Sequence, residues 1–244
     1  MDKGSSHIVT RFDDELRRLS AQIAEMGGLV EEQLLMAVNA LSRQDLTLAE
    51  KVIASDKRVD LLEQELEEGV VRLLALRQPM AKDLREIICA LKVAHNLERM
   101  GDFARNTAKR AITLSQVEFQ GPVSTINALG RMVSEMVRDV VEAYLDQDLE
   151  RARLVRERDE DVDAFHSGIF RELLTYMMES PRNITGCTHL MFIAKNLERV
   201  GDHATNMAEA LHFLVTGRPV DTERGKADNS SLETAADLTP RKDN

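Results

Sequence analysis

An all-α fold is predicted by three features of this sequence: the residues it uses, the residues it lacks, and the spacing of its apolar positions. Ala, Leu, Glu, Arg, Val and Met dominate a 244-residue chain in which aromatic residues are 4% and Trp is absent. Most of these are good helix formers, whereas β-rich folds carry more aromatic side chains. Five prolines and twelve glycines leave long stretches without a break. The length suits one large or two small domains, and either buries a sizeable core.

Six helices follow from the apolar spacing. Phe12, Leu16, Leu19, Ile23, Met26 and Val30 step by four and three, an amphipathic stripe. Gln44-Asp45 breaks it and suits a turn or helix cap. A second helix runs through Val52, Val59, Leu62, Leu66 and Leu73 and stops near Pro79, because the residue before proline avoids helical backbone. A third spans about Lys82 to Gln116, and Gly121-Pro122 marks a join. Ile126, Leu129, Val133, Met136, Val140 and Ala143 define the fourth. The fifth runs from about Leu149 to Glu179, stopped by Ser180-Pro181, and the sixth from about Ile184 to Val215. Helices of about 30 residues are about 45 Å long. Residues 217–244 are polar and aperiodic, and read as a disordered tail.

The chain repeats itself. Residues 96–108, NLERMGDFARNTA, match residues 196–208, NLERVGDHATNMA, at nine of thirteen positions and an offset of 100. Residues 44–60 match 147–163 at eight positions and an offset of 103. The expected organisation is therefore two pseudo-symmetric three-helix bundles, residues 1–118 and 119–216, followed by the tail.

Charge and hydropathy exclude several function classes. Forty-two acidic against thirty-two basic residues give a net charge of −10, with no block of five Lys/Arg. That disfavours nucleic acid and anionic lipid surfaces, which demand a basic face. No apolar run approaches the roughly 20 residues that span a bilayer. The first residues, MDKGSSHIVTRFDDELRRL, contain no apolar signal segment. The expected location is the cytoplasm, and the two cysteines, Cys89 and Cys187, are read as buried free thiols.

The repeated polar residues stand where apolar ones belong. At about 100° per residue, Glu98 and Asp102 share the direction of Leu91, between Ile88 and Ala94, and Asn106 continues the row. Glu198, Asp202 and Asn206 do the same relative to Met191. On the preceding helices Asp56 sits between Val52 and Val59, with Asp60 one turn on; Asp159 and Asp163 repeat this between Val155 and Val162. Like charges one turn apart disfavour a helix, and a half-buried unpaired carboxylate costs several kcal/mol more. Gly101 and Gly201 each add a cost of about 1 kcal/mol, and would let a neighbouring helix approach closely. Such costs, taken twice, call for a compensating cation. Oxygen ligands suit Mg, Mn, Ca or Fe more than Zn. The competing reading is an ion-pair network with Arg99, Arg199, Lys57 and Arg58. Glu63, Glu65, Glu67 and Glu68 read as a solvated face. His95 and His203 adjoin the acidic rows and could serve as outer ligands, but read first as surface or packed histidines. Met26, Met36, Met132, Met136, Met177 and Met178 read as core.

No phosphate-binding loop, zinc-protease motif or nucleophile elbow occurs. A di-metal oxidase needs two E-x-x-H motifs, and only Glu209 to His212 fits. The chain therefore reads as a non-enzyme. The alternatives are a carboxylate-bridged multi-metal enzyme and a metal-free helical scaffold.

The pair NLERMGDFARNTA and NLERVGDHATNMA, with D-x-x-x-D on the preceding helices, resembles the signature of the PhoU family, accessory proteins of phosphate-specific transport. The resemblance covers about residues 6–216. It implies multinuclear clusters of Mg, Mn, Fe or Zn, one per repeat. Its ligands would be Asp56, Asp60, Glu98 and Asp102, then Asp159, Asp163, Glu198 and Asp202. Asn106 and Asn206 lie along the same rows. It further implies a homodimeric negative regulator of phosphate uptake and of the phosphate-starvation response. Such a regulator links the ATPase subunit of the phosphate ABC transporter to a sensor histidine kinase, and meets the membrane only through these partners.

Overall fold

The computed structural model describes residues 3–77, 79–119 and 121–220, with side chains from Phe12 onward except Arg77. The segment 221–244, most of the expected polar tail, lies outside the described residues. Six long helices follow one another: α1 (Lys3–Arg43), α2 (Leu46–Arg77), α3 (Lys82–Leu114), α4 (Val123–Asp146), α5 (Leu149–Glu179) and α6 (Ile184–Thr216). A single 3-10 turn, Pro181–Asn183, leads into α6. No strand occurs among the described residues, and none of their helices is long and apolar enough to cross a membrane.

The same two-residue hinge opens the second helix of each repeat. Gln44 and Gln147 adopt left-handed backbone, φ 51° and 53°. The aspartate that follows then caps the next helix. Asp45 accepts from the Leu48 N–H at 3.0 Å, and Asp148 accepts from Glu150 and Arg151 N–H at 3.0 Å. Such a cap is worth about 1 kcal/mol. At the far end Gly217, φ 73°, closes α6 by donating its N–H to the Phe213 carbonyl at 2.9 Å.

Helices α1, α2 and α3 pack together, as do α4, α5 and α6, and the two sets join through α1 with α4 and α3 with α6. A main core results, running from Leu19 through Leu97 and Met136 to Leu214, with a smaller apolar cluster around Ala37, Ala40, Ala49, Val52 and Ala108. The α1–α4 seam is reciprocal. A Cβ on Gly27 would lie 2.7 Å from a Val141 methyl, and one on Gly130 would lie 2.5 Å from a Val38 methyl. Gly27 corresponds to Gly130, and Val38 to Val141, at the offset of 103. The α3–α6 seam is antiparallel: Arg85 reaches the Leu214 carbonyl, Asn96 meets His203, and Arg110 lies over Phe192. Cys89 and Cys187 are free and buried. Met26 and Met136 are core residues, but Met178 is exposed, because the α5 face it occupies meets no other helix.

Gly27→Ala should destabilise the protein by about 1–3 kcal/mol, although alanine alone favours a helix by about 1 kcal/mol. Urea unfolding measures it. Combined with Val141→Ala, the loss should fall below the sum of the two single losses; a stabilised Gly27→Ala protein would contradict the close seam.

Candidate metal centre

In the first repeat, α2 and α3 bring their acids together. Asp56 is 3% exposed and lies against Gly101: a Cβ there would be 3.6 Å from its Oδ1. Asp60 and Asp102 are near enough to repel Asp56, Asp60 repels Glu63, and Asp102, Glu63 and Asp60 repel Glu98. Gly101 lets α2 approach because it carries no side chain. In this repeat the acidic row lies on the flank of the core rather than at its centre, since Leu91, which shares its direction, is only half-buried. Consequently Asp60 is exposed, while Glu98, Asp102 and Asn106 are half-buried.

A guanidinium sits among these carboxylates. Arg105 donates to Asp56 through Nη1 and to Asp102 through Nη2, the latter at 2.6 Å. Arg99 donates to Asp102 at 3.0 Å. Of the cations expected from the sequence, Arg58 instead pairs with Glu25 at 2.6 Å, and Arg199 stands 5.7 Å over the Phe103 ring. Burial raises Asp56 above its usual range despite Arg105. Burial, then repulsion from Asp102 and Glu63, pushes Glu98 up to about 7.

Two residues outside the expected ligand set face this cluster. Gln33 of α1 is buried; its Nε2 donates to Ser55 Oγ at 3.1 Å. Its Oε1 accepts no hydrogen bond among the described residues, and lies 3.3 Å from the Gly101 Cβ position. Glu63, expected on a solvated face, turns toward α3 and meets His95 Nδ1 at 3.1 Å; Glu65, Glu67 and Glu68 are exposed as expected. One donor atom each from Glu63, His95 and Glu98 lie within 4.8 Å of one another. The signals were present in the sequence: Arg105 is three after Asp102, Glu63 is three after Asp60, and Gln33 continues the α1 stripe three after Val30.

The second repeat uses the same frame. Asp159 Oδ1 lies 3.0 Å from the Gly201 Cβ position, with Val162 and Met136 beside it, where the first repeat has Asp56, Val59 and Gln33. Asp159, Asp163 and Glu198 are buried, and Asp202 half-buried. Lys195 donates to Glu198 at 2.9 Å. Asn206 is exposed, in a groove between α3 and α6 shared with His95, Asn96 and Glu209. His203 is packed at the α3–α6 seam, 5.6 Å from Phe103 and 2.7 Å from Asn96. Burial holds it below its usual value.

This donor set fits a divalent cation. Carboxylates outnumber the resident cations, an amide oxygen is buried without a donor, and oxygen with imidazole ligands suits Mg, Mn, Fe or Zn.

The sequence matches the PhoU domain twice, over residues 23–111 and 126–211. It is 47% identical over 225 residues, 92% of this chain and 98% of the relative, to the phosphate-specific transport system accessory protein PhoU homolog of Caulobacter vibrioides. The crystal structure of PhoU from Pseudomonas aeruginosa aligns with TM-score 0.82 and 40% identity, covering 85% of this chain and all of that one. The phosphate transport system regulatory protein PhoU from Streptococcus pneumoniae aligns at 0.79 and 30%, over 86% of this chain and all of that one.

Two outcomes follow from the site's electrostatics. Glu98 holds its proton more tightly folded than unfolded. Its contribution is therefore full below the ordinary value of 4.5 and is lost as pH rises through about 7. The melting temperature of metal-free Glu98→Gln should fall less than that of the parent between about pH 5 and pH 7.5; equal slopes would contradict this. Arg105→Ala should cost about 3 kcal/mol at neutral pH, because Asp56 stays buried without its cation. Urea titration should show that loss shrink as pH falls and Asp56, raised by burial, takes up a proton; a loss independent of pH would sink the assignment.

Proposed function

The chain belongs to the PhoU family, and from that membership and its duplicated carboxylate clusters we propose that it is a metal-binding, non-catalytic regulator of phosphate transport. Its relatives are named as accessory and regulatory proteins of phosphate transport. In this reading it restrains uptake and the phosphate-starvation response when phosphate is plentiful. It does so as a cytoplasmic homodimeric adaptor between the ATPase subunit of the phosphate ABC transporter and a sensor histidine kinase. The sequence carries no phosphate-binding loop, so the input is transporter state rather than phosphate itself. Long helices offer the extended side surface that an adaptor needs.

The observation that carries the metal reading is the repetition of buried carboxylates against a glycine, Asp56 on Gly101 and Asp159 on Gly201. Asp56, Asp60, Glu98 and Asp102 would hold one cluster, and Asp159, Asp163, Glu198 and Asp202 the other. Asn106, half-buried beside Asp102, is an auxiliary ligand; Asn206, exposed in the groove, is a weaker candidate. Bound metal supplies positive charge that offsets carboxylate repulsion. The residues do the rest: Arg105 and Lys195 hold the acids in place, and Gly101 and Gly201 set the helix separation. The enzyme alternative lacks support from the repeat, because the flanking Glu63 and His95 become His166 and Lys195 in the second half.

Deleting the gene should give high alkaline phosphatase activity in phosphate-rich medium; unchanged activity with normal phosphate uptake would reject the regulatory reading. The double substitution Asp102→Asn, Asp202→Asn should lose metal by elemental analysis and keep its helicity by circular dichroism. Full metal content in that variant would reject the clusters.

A further inference from the structure

We propose that Glu63, His95 and Glu98 form an imidazole–dicarboxylate site for one transition-metal ion in the first repeat, and that Lys195 removes its counterpart from the second. This rests on reading the clusters as metal sites and adds a ligand and a selectivity to one of them.

Three donor atoms already converge. Glu63 approaches from α2, while His95 and Glu98 stand three apart on one face of α3. Their nearest donor atoms lie within 4.8 Å of one another. A tetrahedral ion with ligands at about 2.0–2.2 Å holds them about 3.3–3.6 Å apart, so the site closes when the exposed imidazole and the two carboxylates draw in by about 1 Å. The imidazole faces Glu63 at 3.1 Å, and its ring is 63% exposed, leaving room for entry and rotation. Two carboxylates and a neutral imidazole balance a divalent ion.

The second repeat supplies an independent observation. Lys195 occupies the position of His95 at the offset of 100, and His166 that of Glu63 at the offset of 103. There the ammonium stands on the equivalent carboxylate, Lys195 Nζ to Glu198 Oε1 at 2.9 Å. A cation is thus resident at this place in one repeat, while the other presents ligand atoms. A protonated lysine offers three donors and no lone pair, so it satisfies the carboxylate but cannot coordinate. Imidazole also changes the choice of ion. Carboxylate oxygen suits Mg, Ca and Mn, whereas imidazole nitrogen draws Zn, Fe and the later transition ions.

Co2+ titration of the full metal-free chain, followed by visible absorption and calorimetry, tests this. His95→Gln should lose one equivalent of Co2+ or weaken it at least tenfold, with loss of the nitrogen-ligated absorption. Mg2+ affinity should change less than twofold. Glu63→Gln should reproduce the loss, and circular dichroism shows that both variants fold. Co2+ affinity and spectrum unchanged in His95→Gln would overturn the site while leaving the carboxylate clusters standing. A parent protein that binds neither Co2+ nor Mg2+ would overturn both.

Discussion

Burying carboxylates in the seam between two helices is the constraint around which this molecule is arranged. Asp56 and Asp159 are almost inaccessible to solvent, and each lies against a glycine of the neighbouring helix. A charge so placed costs several kcal/mol unless partnered. Apolar residues of similar volume would pack there at no loss, so the acids are not present for stability. What they require explains their surroundings: the glycine at each crossing, the guanidinium of Arg105 across Asp56 and Asp102, and the ammonium of Lys195 on Glu198.

The helices can bear that cost because the rest of the packing is apolar and closely fitted. The reciprocal Gly27–Val141 and Gly130–Val38 contacts leave no room for a methyl group. They fix α1 on α4 along an approximate two-fold relation. The antiparallel α3–α6 seam completes it, and places Phe103, His203 and Arg199 between the two clusters. Each acid thus projects from a helix anchored on two sides. Sites on helices locked in this way hold their geometry better than sites on loops.

Much of this was legible in the sequence. Apolar periodicity located all six helices, Gln44-Asp45 read as a turn or cap, and the duplication pointed to Asp56, Glu98 and their counterparts. A helical wheel, however, describes one helix at a time. It ranks Glu98 and Asp102 by their angle to Leu91, but does not say that this angle faces α2 at the edge of the core. For the same reason Glu63 looked solvated among its glutamate neighbours, although one more turn of α2 brings it onto His95. Arg105 was invisible as a partner for Asp56 because 49 residues separate them. Gln33 is the opposite case. A polar residue on the stripe of α1 is a visible irregularity, but its meaning depends on α2 and α3 lying beneath it.

The two repeats show what duplication preserves and what it releases. Backbone, hinge, glycine and buried aspartate are the same in both: the packing of three helices requires the first three, and the aspartate lies against the glycine in each. The groups that neutralise the acids are not: Arg105 corresponds to Thr205, His95 to Lys195, and Gln33 to Met136. Neutralisation needs only positive charge or a polar atom within reach, and several side chains on either helix can supply it. Once two copies share one chain, the frame is constrained while the charge within it is free to differ. A guanidinium spanning Asp56 and Asp102 must yield if an ion is to bridge them, whereas in the second repeat the ammonium of Lys195 stands on Glu198.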